Sequence, residues 1–450
     1  MNAKLIRGLT LIDAISIVIG TIIGTGVFLK TSTMAILVGS PFYVLLAWVV
    51  AGLLSLTGAL AYAELGSLMP DAGGEYVFLK EGYGDLWGFL YGWMRFWIGS
   101  PGSIAAYAVG AMTFMSGVID MSFLGGRTSA SVMVIILFSL LNCLSVSFGG
   151  RLQAGMTALK IFMIVGISFG IFFFSKSGSF NHLFETTTSV DGFVGWSAFG
   201  SAILAALWAY DGWCNLTMVA GEIKDPQKNI PRSLIIGMFA ILAIYALANL
   251  AFFYALPLSE ILSSNSSAHP DALPVATKAA LTFLGTSGVS LLSAAFVFSA
   301  LGAMNGSILT GSRVPFAMAR DGLFFKKLAV VSETTHVPVV SIMVQASVAI
   351  ALALTGTFDQ LTDYVIFSSW IFYAMVTSVV FVLRKRNPTQ HRPYKAFGYP
   401  FLPFIFIILG LLLLINTIIT SPGATMVGLG FILSGVPCYY FFKKRKNLHL

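Results

Sequence analysis

The sequence predicts an all-α integral membrane protein with twelve transmembrane helices. Three observations carry that prediction. The chain has 450 residues, of which 57% are hydrophobic and only 10% charged, where a water-soluble chain carries about 25% charged residues. Twelve apolar runs approach the roughly 20 residues that cross a 30 Å hydrocarbon core. The formal net charge of +8 is unevenly placed. Lys224, Lys228, Arg232, the pair Lys326-Lys327, Arg384-Lys385-Arg386 and Lys443-Lys444-Arg445-Lys446 fall in alternate loops or at the tail, while the other loops hold only Arg127, Lys176 and Lys278. This bias puts both termini in the cytoplasm. Basic charge of this kind sets orientation in a lipid bilayer, and nucleic-acid binding is not expected.

The first span, 11–38, holds Gly20, Gly24, Thr25 and Gly26 near mid-bilayer. Lacking a cleavage-site pattern, it is read as a retained span. Each glycine costs about 1 kcal/mol relative to alanine in a helix. Helix unwinding at 24–26 would expose backbone N–H groups able to bind an anion. Small-residue packing through Gly20 and Gly24 is the competing explanation.

Spans follow at 41–68, 86–115, 129–148 and 152–175, with Gly149-Gly150 read as the turn between the last two. Span six, 192–220, is interrupted at Tyr210-Asp211-Gly212. Spans seven to ten are 232–256, 279–303 (continuing helically to 320), 338–355 and 360–383. The last two are 401–420 and 426–442. The breaks in spans one and six lie five spans apart, so the halves 11–175 and 192–383 have opposite starting sides. Paired broken helices in inverted halves point to a binding site at the bilayer midplane. The whole chain is read as one transmembrane domain, 1–450, with 401–442 as an addition.

Asp211 is costly at a span centre and should face protein or water. It either lines a cavity or caps the half-helix after the break. Lys160, in span five, either donates to carbonyls of an unwound helix or snorkels toward Arg151; the internal role is preferred. Trp208, Tyr210 and Trp213 surround the second break, and Trp208 and Tyr210 are the gating candidates. Glu64, Arg95 and Lys30 are expected near the interfaces, and Arg313 and Arg320-Asp321 in ion pairs at the inner face. Cys143, Cys214 and Cys438 all fall inside spans, so no disulfide framework is expected. No intramembrane histidine, metal-ligand set or nucleophile–base pair occurs, so neither an enzyme, a metal nor a cofactor is expected.

Gly24-Thr25-Gly26-Val27-Phe28 resembles the G-[ST]-G-[IV]-F of the amino acid/polyamine/organocation (APC) transporters. Tyr210-Asp211-Gly212-Trp213, the run from Gly221-Glu222-Ile223-Lys224 to Pro231, and Ser299 to Ser307 leading to Arg313 and Ala319-Arg320-Asp321-Gly322 resemble the same family in order and spacing. The chain looks most like the L-type exchangers and their bacterial relatives, the serine/threonine exchangers included. The resemblance implies a LeuT-type five-plus-five inverted repeat with two extra helices. It places a substrate carboxylate at Gly24, Thr25 and Gly26, and an α-amino group at the carbonyls of Ile22, Trp208 and Asp211, beside Gly212. It puts Trp208 at an aromatic gate. Lys160 falls beside the position that holds sodium in sodium-coupled cousins, with Ser299 as its partner, which implies sodium independence.

Two departures limit the substrate and the partners. Ser307 stands where arginine/agmatine antiporters have a tryptophan, which disfavours long cationic substrates. Loop 117–128 has no cysteine for the disulfide-linked heavy subunit of animal exchangers. Ser103, Tyr107, Asn305 and Ser307, with Gly99 and Ser100, are candidates for the side-chain pocket. The expected activity is exchange of small neutral L-amino acids by alternating access. Proton-coupled uptake with Lys160 titrating is the alternative. A non-transporting sensor is the rival of another class, for which the tail at 443–450 is short.

Overall fold

The computed structural model describes residues 4–116, 118–187, 195–266, 268–269, 272–285, 287–355, 358–420 and 422–447. The described residues are helical, with one isolated parallel β-bridge between Leu9 and Ile223. In chain order the α-helices are α1 Leu11–Ile22, α2 Gly26–Val38, α3 Pro41–Leu68, α4 Glu75–Tyr83, α5 Asp85–Met94, α6 Ser100–Ser116, α7 Gly126–Asn142, α8 Val146–Phe174, α9 Trp196–Ala209 and α10 Asn215–Met218. They continue as α11 Pro226–Ala255, α12 Leu258–Leu262, α13 Val275–Leu284, α14 Ser287–Gly311, α15 Arg313–Arg320, α16 Val339–Thr355, α17 Phe358–Arg386, α18 Phe401–Thr420 and α19 Pro422–Asn447.

Among the described residues six segments are each long and apolar enough to cross a membrane, and the pair α1 and α2, bent by 40° at the break, makes a seventh. The apolar helices α7, α9, α13 and α16 are shorter. This is a multi-pass membrane protein. Isoleucine, leucine and phenylalanine are exposed over much of α18 and α19, a surface that only lipid or protein could cover.

Two packed groups dominate. In the first, α1 and α3 pack against α11, and α9 packs against α2 and α3. In the second, α6 packs against α7, α14 and α16. Helix α8 touches both groups through α1 and α14.

Local chemistry sets the elements that matter. Thr10 and Asp13 form a capping box that starts α1, with the Thr10 N–H donating to Asp13 Oδ2 at 2.8 Å. Ser145 starts α8 by accepting from the Phe148 N–H at 3.0 Å. The turn between the fourth and fifth apolar runs therefore falls at 143–145, and Gly149-Gly150 lies inside α8. That corrects the turn expected there. Both glycines serve packing: a Cβ on Gly149 would come within 2.8 Å of Asn142 Oδ1, and one on Gly150 within 2.6 Å of Leu9 Cδ2. The third apolar run is interrupted by a π-helical stretch, Arg95–Gly99, between α5 and α6, a feature frequent at functional sites.

Candidate functional site

The first run breaks where the glycines lie. Helix α1 ends at Ile22, the Gly24 N–H turns back to the Ile22 carbonyl at 2.8 Å, and α2 restarts at Gly26. Helix α9 ends at Ala209, and four-residue α10 begins only at Asn215. The two breaks touch. Gly212 has φ +117°, and a Cβ there would sit 2.9 Å from the Thr21 carbonyl oxygen. The Thr21 hydroxyl donates to the Gly212 carbonyl at 3.0 Å. Gly26 meets the end of α9, where a Cβ would lie 2.6 Å from Ala209 Cβ and 2.9 Å from its Cα. Only glycine permits either approach.

Between the breaks lies a cavity of about 40 Å³, room for about three waters at roughly 10–15 Å³ each. Ile22, Gly24, Thr25 and Gly26 line one wall, and Trp208, Ala209 and Asp211 a second. Ser103, Ala106 and Tyr107 of α6 face them, and Val365 of α17 completes the lining. Ser103, Ala106 and Tyr107 share one face of α6 by their i, i+3, i+4 spacing.

Polarity is divided across the cavity. The first amides of α2 have no acceptor within their own helix, and the buried Thr25 hydroxyl has no hydrogen-bond partner among the described residues. This side suits an anion. Opposite it, the Asp211 carboxylate accepts from the Tyr373 hydroxyl at 2.8 Å. Helix α10 begins behind Cys214 with no side-chain cap bond, so of the two readings of Asp211 the cavity lining is the one observed. The Ile22 carbonyl accepts from the Gly24 N–H; the single Tyr245 hydroxyl proton has two acceptors in reach, the Ala209 carbonyl at 2.9 Å and the Ile22 carbonyl at 3.2 Å.

Lys160 does not snorkel. It is 1% exposed, and its Nζ donates to the carbonyls of Gly20 at 2.9 Å, Ile23 at 2.7 Å and Ser299 at 2.9 Å. The Ser299 hydroxyl lies 3.0 Å from the Ile23 carbonyl and 2.8 Å from that of Gly24. Both residues stand behind the first break, outside the cavity lining.

Six other expected residues lie off the cavity, Gly99 and Ser100 among them. Tyr210 is buried behind its wall, between Trp48 and Tyr245 at ring distances of 5.9 Å and 5.0 Å. Gly212 sits in the backbone contact between the breaks. Asn305 is fully buried in an amide relay, accepting from Asn142 at 2.8 Å and donating to Gln153 at 2.7 Å. Ser307 is buried elsewhere on α14. The rotation of α14 turns Ser299, Gly302 and Gly306 toward α8 and α1, as their packing against Lys160 and Thr21 shows.

Ala106, Ala209, Val365, Tyr245 and Tyr373 were not foreseen. The hydroxyls of Tyr245 and Tyr373 in apolar runs were the available signal. Arg95 is buried, 6% exposed, and donates to Asn215 Oδ1 at 3.0 Å. Glu64 is 1% exposed and pairs with Arg384 at 2.6 Å and Arg392 at 3.2 Å.

The basic end of the molecule is closed below the cavity. Arg313 and Glu222, both with fully buried side chains, form a two-pronged pair at 2.7 Å and 3.1 Å. Lys80 and the Tyr76 hydroxyl hold Asp321. The Leu9 N–H donates to the Glu222 carbonyl at 2.9 Å, and the Lys224 N–H to the Leu9 carbonyl at 2.8 Å. Toward the other end the roof is lighter. Trp208 is half-buried, and the Lys30 ammonium lies 4.8 Å from its ring centroid.

A family model described as amino acid permease matches residues 9–442. The chain belongs to that family, within the APC superfamily. It is an amino acid transporter and not an enzyme. It is 35% identical over 438 residues to the serine/threonine exchanger SteT of Bacillus subtilis, covering 97% of each chain. It is 30% identical to the b(0,+)-type amino acid transporter 1 of Mus musculus, covering 96% of this chain and 87% of that one. It is also 30% identical to the cystine/glutamate transporter of Homo sapiens, covering 98% and 86%.

Proposed function

We propose that this chain is a sodium-independent exchanger of small neutral L-amino acids that works by alternating access. The observation that carries the reading is the divided cavity between the two breaks. The substrate carboxylate meets the first amides of α2 and the unpartnered Thr25 hydroxyl, where the helix dipole favours an anion. The α-amino group meets the carbonyl end of α9 at Trp208 and Asp211, with the Asp211 carboxylate beside it. The Ile22 carbonyl, which accepts the Gly24 N–H, keeps a lone pair for the amino group. The cavity of about 40 Å³ must open to admit a whole amino acid, and Ser103, Ala106, Tyr107 and Val365 are the lining residues a short side chain would meet. The similarity to a serine/threonine exchanger also favours small substrates.

The Lys160 ammonium occupies three carbonyls behind the first break, a place a sodium ion would otherwise take, which supports sodium independence. The breaks in α1–α2 and α9–α10 fit a LeuT-type architecture of twelve spans. In it, 11–175 and 192–383 are inverted repeats and 401–442 is added; residue 192 lies outside the described residues. Charge placement favours a plasma-membrane orientation with both termini cytoplasmic. Without a loop cysteine, the chain works with no disulfide-linked heavy subunit. The segment 11–23 is about 20 Å long at 1.5 Å per residue and serves as a swinging inner gate, latched by Arg313–Glu222 and the Leu9–Ile223 bridge.

The test is uptake of labelled serine into proteoliposomes, with and without internal amino acid, sodium and a pH gradient. Exchange predicts uptake that requires internal amino acid and ignores sodium and pH. Uptake into empty vesicles driven by an inward proton gradient would instead establish proton coupling, and binding without flux would establish a sensor.

A further inference from the structure

We infer that a groove at the basic end of the molecule binds an anionic phospholipid from the leaflet that faces that end. The groove encloses about 790 Å³, within the roughly 300–1,000 Å³ of built ligand sites. It runs between the π-helical stretch Arg95–Gly99, the segment 322–328, α16 and the last turns of α19.

Its floor is aromatic. Phe324 packs at ring distances of 5.0 Å on Phe96 and 5.4 Å on Phe442, and Phe325 lies 5.2 Å from Phe442. Trp97, Phe325 and Val340 are exposed along it, a surface suited to acyl chains. Its rim is cationic, with Lys326, Lys327, Arg445 and Lys446 and no acidic residue in the lining. The neighbouring acid, Asp321, is held by Lys80 and Tyr76. Among the described residues no ion pair engages any of the four rim cations.

The rim is shaped as well as charged. Gly322, at φ +76°, turns the chain into segment 323–328, and the Lys446 stem lies 3.4–3.5 Å from where a Cβ on Gly322 would be. A free anion would use only the rim, and an uncharged lipid only the floor. The two together match an anionic headgroup over an acyl chain, the chemistry of basic pockets between helices on the cytoplasmic side.

The groove also touches the transport path. Phe96 and Trp97 belong to the π-helical stretch whose last residue, Gly99, accepts the Ser103 hydroxyl at 2.8 Å. Ser103 lines the central cavity. A lipid in the groove therefore bears on the stretch that positions one cavity wall.

The test uses the full chain. Native mass spectrometry follows retained phosphatidylglycerol, and initial uptake is measured in phosphatidylcholine vesicles with and without added phosphatidylglycerol. The parent is expected to retain phosphatidylglycerol over phosphatidylcholine and to transport faster when it is present. Replacing Lys326, Lys327, Arg445 and Lys446 together by Gln should reduce retention at least ~10-fold and abolish the lipid dependence, leaving uptake in phosphatidylcholine unchanged. Val344→Trp, which fills the apolar floor with every charge kept, should also lose retention. The inference is overturned if the quadruple variant keeps the bound lipid or the lipid dependence. It is equally overturned if Val344→Trp binds like the parent, or if soluble glycerol phosphate displaces the lipid.

Discussion

The two helix breaks face each other across one cavity, but they are braced in opposite ways. The first is narrow, residues 23–25, and is held by a charge: Lys160 binds the carbonyls of Gly20, Ile23 and Ser299, and the Ser299 hydroxyl shares that of Ile23 and reaches one more, that of Gly24. The second is wide, residues 210–214, and is held by hydroxyls and backbone fit, with no cation among the described residues bound to its carbonyls and one charge-assisted bond, from Tyr373 to the Asp211 carboxylate. Thr21 donates to Gly212, Tyr373 to Asp211, and Gly212 seats against the Thr21 backbone. Charge-assisted hydrogen bonds are roughly twice as strong as neutral ones. The first break is thus a fixed anion cradle, while the second can rearrange at lower cost around a substrate. Both are latched on the basic side by Arg313–Glu222, a fully buried pair.

The comparison sets an order of expected effects. Lys160→Ala should be the most damaging, because it strips the only cation from three buried carbonyls. At about 1–3 kcal/mol for each group left unsatisfied, uptake should vanish and thermal unfolding shift down by several degrees. Lys160→Arg should fail to rescue, since the Lys160 tip packs so closely on α14 that a Cβ added to Gly302 would lie 2.9 Å from it, which leaves little room for the larger guanidinium. Normal uptake by Lys160→Ala would mean that the first break supports itself.

Next comes Arg313→Gln. Breaking a buried pair by removing one partner costs about 3–5 kcal/mol. The variant should lose its latch, and cysteine labelling from the basic side of a residue in the cavity wall, such as Ser103→Cys, should rise sharply. Unchanged labelling would show that the latch does not control access.

Gly26→Val should abolish transport, and Gly212→Ala should impair it less. The first variant drives a side chain into the Ala209 backbone. The second sets a Cβ in a left-handed conformation, at about 1–3 kcal/mol, against a break that can yield. If Gly212→Ala proves the worse of the two, the contrast between a rigid and a yielding break is reversed. A milder effect, confined to binding, is expected for Tyr373→Phe, which removes one donor from the Asp211 carboxylate, about 1.5–3 kcal/mol. It should raise the KM for serine at least several-fold while sparing folding, as read by initial rates and melting temperature.

Much of this arrangement was legible in the sequence because it is written in exceptional residues. Glycine at 24, 26 and 212, an acid at 211 and a lysine at 160 are each costly in a membrane helix, and each marks a place where the backbone departs from regularity or a charge finds carbonyls. Residues that are ordinary for their setting were not legible. Asn305 and Ser307 were placed in the pocket, but which face of α14 points inward depends on its rotation against α8 and α1. Tyr210 looked like a gate beside Trp208, yet adjacent residues on a helix end point in different directions. Gly149-Gly150 looked like a turn, because glycine signals a bend and a close helix contact with the same absence of a side chain. The burial of Arg95 was not legible because its partner, Asn215, lies 120 residues away in the sequence.

The central claim is that the first break grips the substrate's carboxylate while the second receives its amino group. Competition against labelled serine in an exchange assay tests this most directly, comparing L-alanine, L-alanine amide and N-acetyl-L-alanine. The account predicts that L-alanine competes and that both blocked forms fail, the amide for want of a negative charge at Thr25 and Gly26. Competition by the amide equal to that of L-alanine would contradict it.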